Sequence, residues 1–332
     1  MSSPESGSPS VSTRGVIDRL FGAAASGDLD QVLAWWADDG VLDDITLGRR
    51  FSGQAELRPY LDWYFKALPD LDFSPARILV EGPFAAVEWA ETCHMTAPFD
   101  GVPGDGRELR LRALDLFEIR AGKCAHESSW YGDGWFRRRL NSPPGDPGSP
   151  DPLPRGPDWA TRVVPDVRGA ATSADTRAVI EQLFAAAATG VTEDVLRWWA
   201  DDGVLDDVTI ARRVSGKPEL RTYLDMYYRA FPDLHFVPRR LIVDGPWALV
   251  EWAETCHLLG DFDGVPADGR ALQLRGVDVF EVRDGLVVHE SGWYGDGYLR
   301  DRLETAVPDH LPPPLPRGAA WPASSQGRIG HL

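Results

Sequence analysis

Trp35-Trp36-Ala37-Asp38-Asp39-Gly40-Val41-Leu42-Asp43-Asp44 occurs twice in this chain; the same ten residues return at Trp198–Asp207. Two large aromatics lead into two acidic pairs, and the second pair stands where an apolar run turns into a strand. Outward from this stretch, a constant offset of 163 (198 − 35) aligns Thr13–Leu140 with Thr176–Leu303 without a gap. Between Trp35 and Leu140 roughly two-thirds of the positions are identical in the second copy, which identifies a duplication. The period is far longer than that of a solenoid repeat, so each copy is a domain of its own.

The 332 residues suit two domains, at about 100–200 residues each. Residues 1–12 are rich in Ser and Pro and read as a disordered N-terminus without a signal peptide. Residues 13–140 and 173–303 are the domains. Residues 141–172 form a Pro/Gly-rich linker and 304–332 a Pro-rich C-terminal tail. Both extensions carry a Leu-Pro-Arg-Gly element with a Trp after it, at Leu153–Gly156 with Trp159 and at Leu315–Gly318 with Trp321. Each extension either docks on a domain surface or is a disordered tail that was duplicated with its domain.

The formal charge of −17 and the pI near 4.8 repel phosphate backbones and anionic lipid, so nucleic acid and membranes are poor partners. No apolar run approaches the roughly 18–20 residues of a membrane span. Cys93 and Cys256 occupy matching positions, and Cys124 is matched by Val287, a pattern of reduced buried thiols in a cytoplasmic protein. No Cys/His ligand spacing appears, so no metal and no cofactor are expected.

Within one copy, apolar residues at helical spacing predict a helix over Val16–Ala25, ended by Gly27. A second short helix is predicted over Leu29–Trp36, with Asp28 as N-cap, and a third over Ala55–Leu68, closed by Pro69. The period then changes to two. Phe73–Val80, Phe84–His94, Glu108–Arg120 and Lys123–Tyr131 read as strands, separated by Gly- and Pro-rich breaks. Three helices followed by long antiparallel strands predict an α+β fold in which a curved antiparallel sheet wraps the helices and encloses a pocket.

This order, and several motifs, resemble the NTF2-like superfamily, and within it the SnoaL-like polyketide cyclases and the ketosteroid isomerases. The segments Ala67–Phe73 and Ala230–Phe236 resemble the cyclases' AFPDLHF element, and Thr92-Cys93-His94 with Phe99–Pro103 resembles their strand and loop. Gly27–Asp30 with Ala37–Asp44 resembles the isomerase segment that ends in the general base. The resemblance implies two tandem NTF2-like domains and places that base at Asp44 and Asp207. A second isomerase Asp, held protonated as a hydrogen-bond donor, matches Asp115 and Asp278. The helix-borne Tyr donor of the isomerases does not match, for those positions hold Leu20 and Leu183. The cyclases instead carry an acid/base Asp just after the last strand, where Asp133 and Asp296 stand.

Strand alternation groups Trp89 with Glu91, and Glu127 with Ser129 and Tyr131, on single faces. The isomerase resemblance implies that these faces turn toward the pocket, which would then present Trp89, Glu91, Glu127 and Tyr131, and in the second copy Trp252, Glu254, Glu290 and Tyr294. Asp70, Asp233, His94 and His257 are further candidates for binding. Asp70 can equally bond backbone amides at the helix-to-strand turn, and His94 can be structural. Asp44 can be a turn or cap residue, whereas Asp43 is expected to face solvent, and Asp38 and Asp39 to lie in an exposed turn. Carboxyl groups buried among aromatics have raised pKa values, and neighbouring carboxylates raise one another's.

Three functions follow. The first is a cofactor-independent cyclase or isomerase acting on a polyketide-like small molecule in a biosynthetic pathway, with Asp44 and Asp207 as bases and Asp115/Asp278 or Asp133/Asp296 as acids. The second is an epoxide-opening hydrolase or cyclase, with Asp44 paired to Asp70 and Asp207 to Asp233. The third is a binding protein for a small ligand, without chemistry. Superfamily members dimerise through the sheet, so a tandem chain is expected to form a pseudo-dimer of its own two domains and to be monomeric.

Overall fold

A computed structural model describes residues 12–132, 140, 171–295 and 299–304. The N-terminal residues 1–11, most of the linker and the C-terminal tail, and with them both Leu-Pro-Arg-Gly elements, lie outside the described residues, as do Asp133 and Asp296.

In the first domain, helix α1 (Thr13–Ser26) begins at Ser12, whose side chain accepts from Gly15 N, and ends at Gly27 in the left-handed region. It buries Val16, Ile17, Leu20 and Ala23. Helix α2 (Leu29–Ala34) starts where the Asp28 carboxylate caps Gln31 N. It stops two residues before the end expected from the sequence, because Trp36 already belongs to a strand, β1 (Trp36–Asp44). The hairpin partner of β1 is β2 (Arg49–Ser52). Helix α3 (Gln54–Ala67) follows, then β3 (Asp72–Glu81), β4 (Phe84–His94), β5 (Glu108–Arg120) and β6 (Lys123–Tyr131). The second domain repeats the order as α4 (Ser173–Ala187), α5 (Thr192–Leu196), β7 (Trp199–Asp207), β8 (Arg212–Ser215), α6 (Gly216–Ala230), β9 (His235–Asp244), β10 (Trp247–His257), β11 (Ala271–Arg283), β12 (Leu286–Tyr294) and α7 (Leu299–Glu304).

Each domain has a six-stranded sheet, in the order β2-β1-β6-β5-β4-β3 and its copy β8-β7-β12-β11-β10-β9. The four long strands form the expected antiparallel meander, but the sheet is mixed, since β1 runs parallel to β6 and β7 to β12. Asp38 and Asp39 are exposed as expected, yet they lie within β1 rather than in a turn. The β1–β6 register shifts between Trp36 and Val41. Gly40 permits that bulge: a Cβ there would lie 2.8 Å from the Trp36 ring and 3.0 Å from Ala37 O. Gly203 repeats the arrangement under Trp199.

The concave face of each sheet closes on the helices around its own core. The convex faces pack on each other. Leu79, Ala86, Leu114 and Trp130 meet Ile242, Leu249, Val277 and Trp293 in a third apolar cluster shared by both domains. Asp43 corrects the sequence expectation: it is fully buried, because the far side of its strand faces the other domain and not solvent. Its carboxylate accepts both Arg50 Nε (2.5 Å) and Nη2 (2.8 Å), faces His126 Nε2 at 3.2 Å, and accepts Arg275 Nη1 of the second domain at 3.3 Å. Asp206 is the mirror case, with Arg213, His289 and Arg112 of the first domain, the last at 3.0 Å. Arg112 and Arg275 also bond Ser291 and Ser128 across the seam. Burial alone would raise the Asp43 carboxyl, but hydrogen bonds from His126 and Arg50 and the charge of Arg275 hold it well below the usual carboxylate range. The seam ends in cation–π contacts, with Arg77 over Trp247 at 3.5 Å and Arg240 over Phe84 at 3.9 Å.

Candidate active site

Alternation along β1 turns Asp44 away from the seam and toward the concave side. There it is fully buried, and Oδ2 accepts the hydroxyls of Tyr60 (2.7 Å) and Tyr131 (2.8 Å), while Oδ1 accepts Leu47 N (2.8 Å). Burial raises its carboxyl to about 6, with the tyrosine and backbone bonds opposing the rise. Both phenols are pushed well above their usual value by burial first, so they stay protonated donors. Asp207 has the same set, from Tyr223 (2.7 Å), Tyr294 (2.8 Å) and Ile210 N (3.2 Å), and also lies near 6.

Asp115 projects from β5 opposite Ser129 of β6. Trp89 Nε1 donates to its Oδ2 and Ser129 Oγ to its Oδ1, both at 2.5 Å. Burial pushes this carboxyl up to about 7, against those two bonds and with the added repulsion of Asp44 and Glu91. Glu127, two residues along β6, is raised well above the usual range by burial, then by Asp115 and Asp44. Asp278 and Glu290 are raised likewise in the second domain.

These groups surround an apolar cavity of about 100 Å³ in the first domain and about 130 Å³ in the second. Asp115, Glu127, Ser129, Trp89 and Tyr131 line the first, with Tyr60 and Tyr64 from α3. Asp207, Asp278, Glu290, Trp252 and Tyr294 line the second. Asp44 sits behind Tyr60 and Tyr131 rather than in the wall. Glu91 is fully buried outside the cavity lining and accepts Tyr64 OH at 3.2 Å. Glu254 accepts Tyr227 OH at 2.8 Å and is raised to about 7 by burial.

Asp70 and His94 lie elsewhere. Asp70 Oδ1 accepts His94 N at 2.7 Å and Oδ2 meets His94 Nδ1 at 2.6 Å, with both side chains about half exposed. They clip the turn after α3 to the end of β4, outside the cavity, as Asp233 and His257 do in the second domain. Asp44 and Asp70 therefore share no pocket. The sequence reading passed over Tyr60 and Tyr64, the donors from α3. Their signal was available: two tyrosines at i, i+4 on the apolar face of a helix, repeated as Tyr223 and Tyr227. Among the described residues no group of three or more His, Cys, Asp or Glu is arranged to hold a metal ion, and no helix is long and apolar enough to cross a membrane. Cys93, Cys124 and Cys256 are free and buried.

The profile of the SnoaL-like domain matches residues 17–127 and again residues 180–290, so it covers each helix–sheet unit that holds a cavity. The chain belongs to the SnoaL-like family. It is a tandem NTF2-like protein of two α+β domains. No curated protein matches this SnoaL-like chain. Among solved structures it is similar to AclR of Streptomyces galilaeus, provisionally named a hydroxylase, at 20% identity over 40% of this chain and 97% of that one (TM-score 0.35). It is also similar to IdmH of Streptomyces antibioticus, provisionally named a polyketide cyclase, at 18% identity over 36% and 91% (TM-score 0.32). A third is a protein with a ketosteroid isomerase-like fold from Catenulispora acidiphila in complex with trimethylamine, at 13% identity over 40% and 96% (TM-score 0.34).

Proposed function

We propose that this SnoaL-like protein is a cofactor-independent cyclase or isomerase that moves protons beside a carbonyl on a polyketide-like small molecule. One observation carries the reading. Asp207 and Asp278 face one apolar cavity, and burial separates their tendencies: Asp207 ionises near 6, while Asp278 is held well above the usual carboxylate range. A carboxylate beside a carboxylic acid is what proton transfer at carbon needs near neutral pH.

In the proposed step the Asp207 carboxylate takes a proton from the carbon next to the carbonyl, and the C–H electron pair becomes the enolate. The protonated Asp278 donates a hydrogen bond to the enolate oxygen. Return of the proton to another carbon completes an isomerisation. Attack of the enolate carbon on a second carbonyl forms the new ring bond of a cyclisation as the C=O π pair moves to oxygen, and the resulting alkoxide takes the proton that Asp207 removed, which restores the base. Tyr223 and Tyr294 hold the base in place and stay protonated throughout. Asp44, Tyr60, Tyr131 and Asp115 hold the matching positions in the first domain.

Exchange of the α-hydrogens of cyclohexanone in D2O, followed by NMR, tests the chemistry without knowledge of the natural substrate. The Asp44→Asn, Asp207→Asn double variant should lose the exchange and keep its fold by circular dichroism. Undiminished exchange in that variant would sink the proposal. Epoxide opening would have to take its second acid from the cavity walls, Asp115 or Glu127 in the first domain and Asp278 or Glu290 in the second, since Asp70 and Asp233 stand outside the cavities.

A further inference from the structure

The two cavities descend from one sequence but do not offer the same surface to a ligand. In the first domain both oxygens of Asp115 are taken by the protein, Oδ2 by Trp89 Nε1 and Oδ1 by Ser129 Oγ. In the second, Trp252 Nε1 still donates to Asp278 Oδ2, at 2.7 Å, but Gly292 stands where Ser129 would be. No described residue donates to Asp278 Oδ1.

The glycine is not required by the backbone, because Gly292 is an ordinary strand residue without a positive φ. Only acids lie near the position its side chain would occupy. A Cβ there would come 2.8 Å from Asp278 Oδ1, 3.8 Å from Asp278 Cγ and 4.0 Å from Glu290 Oε1. Asp278 Oδ1 thus takes part of the space a side chain would fill, and with no serine hydroxyl there it lines the cavity beside Gly292 without a protein donor among the described residues. The base differs in the same sense: Asp207 forms part of the cavity wall, whereas Asp44 is screened by Tyr60 and Tyr131. Phe51 stacks on Tyr60 at 4.1 Å between ring centroids, and Val214 replaces it in the second domain. The second cavity is the larger, about 130 Å³, and Phe184, Phe236, Phe280 and Trp252 give it flat aromatic walls. An apolar cavity of about 150 Å³ is known to take a benzene ring.

We infer that the two pockets have divided their work: the second, where Gly292 supplies no donor, binds a ring-shaped ligand whose hydroxyl or carbonyl oxygen sits against Asp278 Oδ1, and Ser129 occupies the equivalent place in the first. Ser129 and Gly292 are then the specificity-determining pair. The binding claim stands on geometry, and the assignment of turnover to the second pocket rests on the acid–base function proposed above.

Phenol, with toluene as the control that lacks the hydroxyl, tests the division by titration calorimetry on the full chain. The wild type should bind one phenol. Gly292→Ser should weaken phenol by about tenfold, the worth of one well-placed hydrogen bond, and weaken toluene less. Ser129→Gly should add a second phenol site. Serine is already accommodated at the matching position of the other domain, and the gain of a site in Ser129→Gly is a readout that misfolding cannot imitate. Two equal phenol sites in the wild type, or unchanged affinity in Gly292→Ser, would overturn the inference.

Turnover is separated by cyclohexanone exchange. Asp207→Asn alone should remove about nine-tenths of the exchange or more, the loss expected on deleting a general base. Loss of only about half would mean that both pockets work, which overturns the division and leaves the acid–base chemistry standing. Full exchange in the Asp44→Asn, Asp207→Asn double variant would remove the acid–base function, and the phenol stoichiometry would still decide whether the pockets differ.

Discussion

Arg275 Nη1 of the second domain lies 3.3 Å from Asp43 Oδ2 of the first. Arg112 returns the contact to Asp206 at 3.0 Å. Asp43, Asp206 and Arg112 are almost fully buried and the Arg275 side chain is 10% exposed, so removal of an arginine leaves a carboxylate that water cannot reach. Arg275→Met should destabilise the protein by about 2–4 kcal/mol, less than a lone buried pair would lose because Arg50 and His126 still face Asp43. Urea unfolding with an unchanged slope is the measurement. A change within about 0.5 kcal/mol would mean that Arg50 and His126 suffice for Asp43 and that buried Glu251, the other partner of Arg275, does not depend on it.

The seam is self-complementary. The first domain carries both an Asp43 and an Arg112, and in the intact chain the second domain answers each. The full chain buries this face within itself and should sediment as a monomer of 36.6 kDa. An isolated first domain, residues 13–140, would expose the face and should pair with a second copy of itself, Asp43 of each to Arg112 of the other. Analytical ultracentrifugation of both species is the check, and a monomeric isolated domain would count against the symmetry.

Stability should peak on the acidic side of neutrality. Asp44 and Asp207 near 6, and Asp115 and Glu254 near 7, hold protons more tightly folded than unfolded, so they cost stability as pH rises from about 4 through those values. Asp43, Asp206 and Glu88 are held below their usual range, so their contribution is present above about 4 and is lost as pH falls below it. The melting temperature should therefore be higher at about pH 5 than at about pH 8, by several degrees, and should fall steeply below about pH 4. A maximum at about pH 8 would contradict the placement of the pocket acids.

Tyr223→Phe should move the acidic limb of the exchange profile upward. The phenol donates to Asp207 Oδ2 at 2.7 Å and favours the ionised base. Its loss should raise that carboxyl from about 6 by roughly half to one unit, so more exchange is lost at low pH and little at high pH. A uniform loss at every pH would assign Tyr223 to packing instead.

Much of this molecule was legible from spacing alone. The duplication, the first and third helices and the four long strands each carry a clean period, which sets Asp115 and Glu127 on definite strand faces; that those faces, and Asp44, turn inward is what the isomerase resemblance implies. Strand β1 was harder. Its residues Asp38 and Asp39 are poor strand formers, and its partner β6 lies some 85 residues further along the chain, so no local pattern announces the pairing (Asp44 with Ser129). The burial of Asp43 was invisible for a different reason, since its counter-charges come from Arg50 and from a residue of the other domain. The tyrosine clamp lay outside the resemblance, because the isomerases keep their donor at the positions of Leu20 and Leu183 and not on α3. The clamp also works differently, for its hydroxyls point at the base.

Asp43 and Asp44 stand back to back across one thickness of backbone, one among arginines in a dry seam and the other among tyrosines beside the cavity. The strand therefore has only one acceptable phase. A slip of β1 by a single residue would send the weaker acid to the arginines and deliver the stronger one to a pocket without a cation, and would also lift the bulge at Gly40 off Trp36. Electrostatics here acts as a threading key: the chain can be laid into the sheet only in the register that gives each acid its own side.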